Sequence, residues 1–236
     1  VSIGSGSVAS GEKGFALLGG TASGQYAMAF NNYAVASAEK SISLGWLTDA
    51  TATSAVAIGT GTQSSGSHSV SLGQANASGA DSFAAAINNS TSSYGATGAN
   101  SIAMGNHNKS TGTQSISLGG YNNVSSGNSS FVTGYQALAS GAYGVAAGFQ
   151  AQATEPSTVA LGYQAEASAI YSIAIGNNAK SAVSRQIAFS AGRFAALGDA
   201  QGSIFILRSD TTDATAEAMT TNNSTAAADT QIVAAS

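Results

Sequence analysis

The residue types able to carry out catalysis are few in this 236-residue chain, and they are scattered. Histidine occurs twice, as His68 and His107, each within a run of Ser, Asn and Gly. Acid–base or metal chemistry needs further groups held close by, and no patterned partner accompanies either one. Both are read as exposed polar turn residues. The acids before position 191 are Glu12, Glu39, Asp49, Asp81, Glu155 and Glu166, spread along the chain rather than paired. A polysaccharide depolymerase would need paired carboxylates in a groove. Asp210 and Asp213 are closer together, but Asp in a Thr-rich stretch commonly makes local turn hydrogen bonds. Cysteine is absent, which removes disulfides and thiolate metal sites. No nucleophile elbow, phosphate loop, zinc-protease helix or calcium loop is present. The expectation is no catalytic residue, no metal site, no cofactor and no enzyme.

Recognition chemistry is better represented. Tyr135, Phe149 and Tyr163 recur at a constant spacing, each followed by a glutamine, Gln136, Gln150 and Gln164. If successive turns of the chain stack, these become an aromatic ladder and an amide ladder. Such a ladder stabilises the stack or presents a stripe for sugars. Trp46 occupies the equivalent place earlier in the chain. A second candidate is the polar stretch 88–98, with Asn88, Asn89 and Tyr94, which reads as an insertion projecting from a turn. The expected binding residues are therefore Tyr94, Asn88, Asn89, Tyr135, Phe149 and Tyr163.

A short repeat has to position these groups. Ser172-Ile173-Ala174-Ile175-Gly176 is its cleanest copy: apolar, small, apolar, then glycine. The first apolar residue of each unit falls at 1, 15, 28, 42, 56, 70, 83, 102, 116, 131, 145, 159, 173 and 187, mostly 14 apart. Alternation places the two apolar side chains on one face of a short strand. A poorer second half, as in Gln136-Ala137-Leu138-Ala139-Ser140-Gly141, predicts a second short strand and turn. A coil only one such repeat long leaves room inside for Ala and Ser only. The structural repeat core is assigned to Val56, Ile58, Val70, Leu72, Ile102, Ile116, Leu118, Val159, Leu161, Ile173 and Ile175. That row must meet another chain, because an exposed apolar stripe of such length aggregates. Asp at Ile173 or Ile116 is expected to disrupt assembly, and Asp at Ala137 or Gln164 to be milder.

These copies, with Ser115-Ile116-Ser117-Leu118-Gly119 and Ser69-Val70-Ser71-Leu72-Gly73, resemble the YadA-type head repeat of trimeric autotransporter adhesins and some phage tail fibres. The resemblance covers roughly residues 1–190. It implies an all-β fold, a left-handed parallel β-roll or solenoid assembled as a homotrimer. A threefold axis could gather three copies of His107 around an ion. Departures are the long 83–102 interval, Asn31 and Ser190 in place of the turn glycine, and Thr133 and Ala147 in the apolar row.

From 191 the pattern stops, and 191–236 is read as a small β-rich flank: a strand at 203–208, a polar turn and a pairing strand near 216–220. This flank resembles a segment that follows repeats in phage tail-fibre proteins, so the chain is expected to be a piece of a longer fibre subunit. The favoured reading is a phage tail fibre on the virion, attaching to a bacterial surface glycan or protein receptor and joined to other fibre and virion proteins. The alternative is the head of a bacterial adhesin at the cell surface. Only 8% of residues are charged and the net charge is −4. That argues against nucleic acid and anionic lipid as partners, and no apolar run is long enough for membrane insertion as a helix.

Overall fold

A computed structural model describes residues 1–86, 93–207 and 219–221. The contacts fall into two compact units, Val1–Ser129 and Ser130–Ser236. Each is a parallel β-solenoid whose coils match the sequence repeat, and no helix occurs among the described residues.

In the first unit each coil after the first contributes one longer and one shorter strand, such as Ile42–Trp46 with Asp49–Ala50 and Val56–Thr60 with Gln63–Ser64. Longer strands pair only with longer ones, in whole-coil register: Ile42 opposite Val56, Val56 opposite Val70, Val70 opposite Phe83. The second unit repeats the plan, with Val145 opposite Val159, Val159 opposite Ile173 and Ile173 opposite Ile187.

The interior follows from the alternation. In Ile173-Ala174-Ile175 the alanine is fully buried, while Ile175 remains 44% exposed. Ala146, Ala160, Ala174 and Ala188 make one buried column, and Ala137, Ala151, Ala165 and Ala179 make another. Ala137 was expected on a tolerant face; the structure puts it inside the coil. The interior is also roomier than Ala and Ser alone, since Thr48, Thr62, Asn108, Asn123 and Val132 are buried there. Buried polar groups need partners, and many find them in their own coil or the next. Ser64 Oγ lies 2.6 Å from Ser69 Oγ, and Asn108 Nδ2 donates to the carbonyls of Met104 and Gly119, both at 2.6 Å.

The repeat glycine has a steric reason. At Gly148, with φ of 135°, a Cβ would lie 2.2 Å from the carbonyl oxygen of Gly162 in the next coil. Close stacking therefore excludes any side chain. The corners themselves are made by other residues. Gln136, Gln150 and Gln164 hold φ of 53°, 52° and 51°, and Asn31 replaces a glycine at φ 89°. A left-handed residue costs of order 1–3 kcal/mol, and here the whole-coil hydrogen bonds hold it in place.

The last coil is covered differently from the reading of the sequence. The strand expected at 203–208 runs Gln201–Ile204 and pairs antiparallel with Ile187–Ala191, Ile187 opposite Ile204. On that side its partner is the final coil; of the pairing strand expected near 216–220, residues 216–218 lie outside the described residues. An antiparallel strand laid on the open edge satisfies its backbone groups. The turn leading into it is organised by Asp199, whose carboxylate accepts the backbone N–H groups of Phe194, Ala195 and Ala196 at 2.9, 2.6 and 2.7 Å. Those bonds favour the charged form and hold its pKa below the usual carboxylate range. Because the folded pKa is depressed, the stabilisation is present above the unfolded value of about 3.9. It is lost as pH falls through the lower folded value. Asp199→Asn should loosen the 194–199 turn at neutral pH and make the amide protection factors there, measured against intrinsic exchange rates, insensitive to acid. Wild type should protect the same amides until the pH drops below about 3.9.

Candidate functional site

The outward face of the longer strands carries the apolar row. Val56, Val70, Leu72, Ile102, Ile116, Leu118, Val159, Leu161 and Ile173 are half-buried, and Ile58 and Ile175 are exposed. None of these reaches the coil interior, which the small residues fill. Within one chain this row is surface.

At the end of the longer strands in the second unit, the aromatic ladder forms. Tyr135 and Phe149 stack with centroids 5.2 Å apart and planes 3° apart; Phe149 and Tyr163 stack at 5.0 Å and 6°. The neighbouring glutamines join side chain to side chain, Gln150 Nε2 donating to Gln136 Oε1 at 3.0 Å and Gln164 Nε2 to Gln150 Oε1 at 2.9 Å. Each ring is partly exposed, but its faces are turned along the stack. Solvent meets mainly the edges, whereas a sugar packs on a ring face.

The comparisons bear on the repeat itself. A family model described as the YadA head domain repeat matches residues 22–48, 50–76, 96–122, 125–151, 139–163 and 153–179, more than half of the chain. The chain belongs to the YadA head repeat family. No individual curated protein matches it.

Around the long interval, the YadA head repeats resume earlier than the sequence implied. Gly95–Ala96 is the shorter strand of a regular coil, with Gly95 opposite Lys109 and Ala96 opposite Ser110. Residues 95–98 thus belong to the coil rather than to an insertion, and Asn88 and Asn89 lie outside the described residues. Tyr94 is half-buried, its ring edge-on to His107 at 4.8 Å. His107 in turn meets Tyr121 at 5.1 Å, and its Nδ1 is buried without a hydrogen-bond partner. His107 is therefore half-buried between two edge-on aromatic rings, not the exposed residue the sequence suggested. Its contact with Tyr121 is diagonal. The strand register shifts after Met104, so that Asn106, and not His107, stands opposite Tyr121. The 15-residue step from Ile116 to Phe131 carries the extra residue of that shift. His68 fits its expected place better: its side chain is 62% exposed, with Nδ1 3.4 Å from Asp81.

Charged groups are sparse; Lys13 pairs with Glu12 and Lys40 with Glu39 beside it in sequence, while other pairs link adjacent coils. Glu166 and Lys180 sit opposite each other in adjacent coils, 3.1 Å apart. Partial burial raises the pKa of Asp49 beside Val35 and Gln63. No group of three His, Asp or Glu is gathered for a metal among the described residues. Asp210 and Asp213 lie outside them.

Proposed function

We propose that this chain is one subunit of a homotrimeric attachment fibre, its three apolar rows meeting in a shared core. The observation that carries this is the outward row of Val, Ile and Leu on coils whose interiors are already filled by small residues. Burying that row against copies of itself gains roughly 25 cal/mol per Å² of apolar surface, repeated at every coil. Membership of an adhesin-type head family points the same way. The repeats at 1–190 serve as the head or shaft, and 191–236 begins a further fibre segment. The tail-fibre likeness of that flank favours a phage virion bound to a bacterial surface. The family description keeps a bacterial adhesin head at the cell surface as the second reading.

Such a fibre holds its receptor by hydrogen bonds and stacking more than by charge. Seven Lys and Arg in 236 residues form no broad basic patch, and screening already acts beyond about 8 Å at physiological salt. Attachment to a neutral surface glycan should change little between low and moderate salt; a steep loss would overturn it. Light scattering should report three times the chain mass, and a stable monomer would refute the shared core. For the long interval, removing residues 88–92 restores the regular repeat spacing while leaving the Gly95–Ala96 strand intact. Unchanged attachment by that variant would remove the segment from the site.

A further inference from the structure

The corner preceding each longer strand of the second unit forms its own column: Tyr143, Ser157, Tyr171 and Arg185, with φ of 59°, 56°, 60° and 61°. Each backbone N–H reaches the coil before it: Ser157 to Ala142 at 2.8 Å, Tyr171 to Pro156 at 3.1 Å, Arg185 to Ile170 at 3.2 Å. The column therefore climbs about 4.8 Å per coil. Its rungs read ring, hydroxymethyl, ring, guanidinium. The Arg185 guanidinium lies over the Tyr171 ring, 5.2 Å from the centroid, and donates to the Thr221 carbonyl at 3.2 Å. One face of Tyr171 is thus covered, and the other looks towards the Ser157 rung. Where every rung carries a ring, as at Tyr135, Phe149 and Tyr163, spacing is 5.2 and 5.0 Å. Tyr143 and Tyr171 stand two rungs apart, about twice 4.8 Å along the stack, which is room for one flat ring at the Ser157 rung. Tyr143 and Tyr171 are 67% and 51% exposed, so the notch is open. Beside it is a depression lined by Glu155, Ser168, Ile170 and Ser184 among others, Ile170 being 40% exposed.

We infer that this notch binds one pyranose ring of a neutral glycan, clasped between Tyr143 and Tyr171. A pyranose presents C–H faces and a hydroxyl rim. The notch offers aromatic faces and, at its border, the Glu155 carboxylate with the Ser157 and Ser168 hydroxyls. A carboxylate accepts two sugar hydroxyls, and it repels an acidic sugar. The site gives the attachment reading a ligand class; it rests on that reading for its purpose, though not for the binding itself.

The test titrates the full chain with methyl glycosides of neutral hexoses and N-acetylhexosamines, followed by saturation-transfer NMR. Weak, saturable binding is expected. Ser157→Tyr fills the missing rung at a backbone angle where Tyr143 and Tyr171 already sit. It should cost about tenfold or more in affinity while keeping or raising Tm. Glu155→Gln should cost several-fold, and Tyr143→Ala serves as a second variant should the filled ladder fail to fold. Wild type that binds none of the glycosides, or Ser157→Tyr that binds as wild type does, would overturn the site. Saturation by p-cresol without any by the glycosides would equally overturn it, in favour of an aromatic side-chain receptor. Cell attachment is scored separately, so the fibre reading stands or falls on its own assay.

Discussion

Ile173→Asp should convert the assembled protein into folded monomers. The side chain sits on the outward row, half-buried in one chain and proposed to meet two symmetry copies. Three carboxylates brought together without cations cost several kcal/mol each, a drop in melting temperature on the order of 10 °C or more for a body of this size. The coil interior behind it, Ala160, Ala174 and Ala188, is untouched. Circular dichroism should therefore retain its β signal while light scattering falls to one chain mass. Ile116→Asp should do the same, and Gln164→Asp, at a corner of the coil, should leave both readings near wild type. A trimer that survives Ile173→Asp would place the shared core on another face.

Ala137→Asp should be worse, and in a different way. Ala137 is 1% exposed and continues the buried column of Ala151, Ala165 and Ala179. No Lys or Arg enters that column, so the carboxylate would be unpaired in a space shaped for a methyl group. Desolvation and overpacking act together, again several kcal/mol. The expected outcome is loss of β signal and insolubility rather than clean dissociation. A soluble, β-rich product would mean that the column is far looser than its burial implies.

The contrast between these sites measures what sequence could reveal. Period and alternation made the coil, the outward row and the in-register ladder at Tyr135, Phe149 and Tyr163 legible, because stacked identical positions need no tertiary information. Ala137 was misjudged because a small residue in a polar-looking stretch gives no sign of which way it points. Its burial depends on how the shorter strand faces the longer one. His107 reads as exposed because a lone polar residue at an Asn- and Lys-rich corner gives no sign that the rings of Tyr94 and Tyr121 lie against it. The turn glycine was legible, but its cause was only half so. It is needed where Gly148 passes Gly162, while the left-handed corners fall to Gln, Tyr and Ser, which carry no propensity signal for them. The Gln201–Ile204 strand pairs back onto a coil of its own unit, a long-range choice that composition cannot indicate.

Whole-coil register also bears on how such a chain can change over generations. Strands meet their neighbours through equivalent residues, Val145 with Val159 and Val159 with Ile173. A gain or loss of one full coil therefore recreates the same junction, whereas a change of a few residues must be absorbed at a corner. Length becomes a trait that varies in steps of one coil, about 4.8 Å each. The body can then be lengthened or shortened without inventing a single new contact.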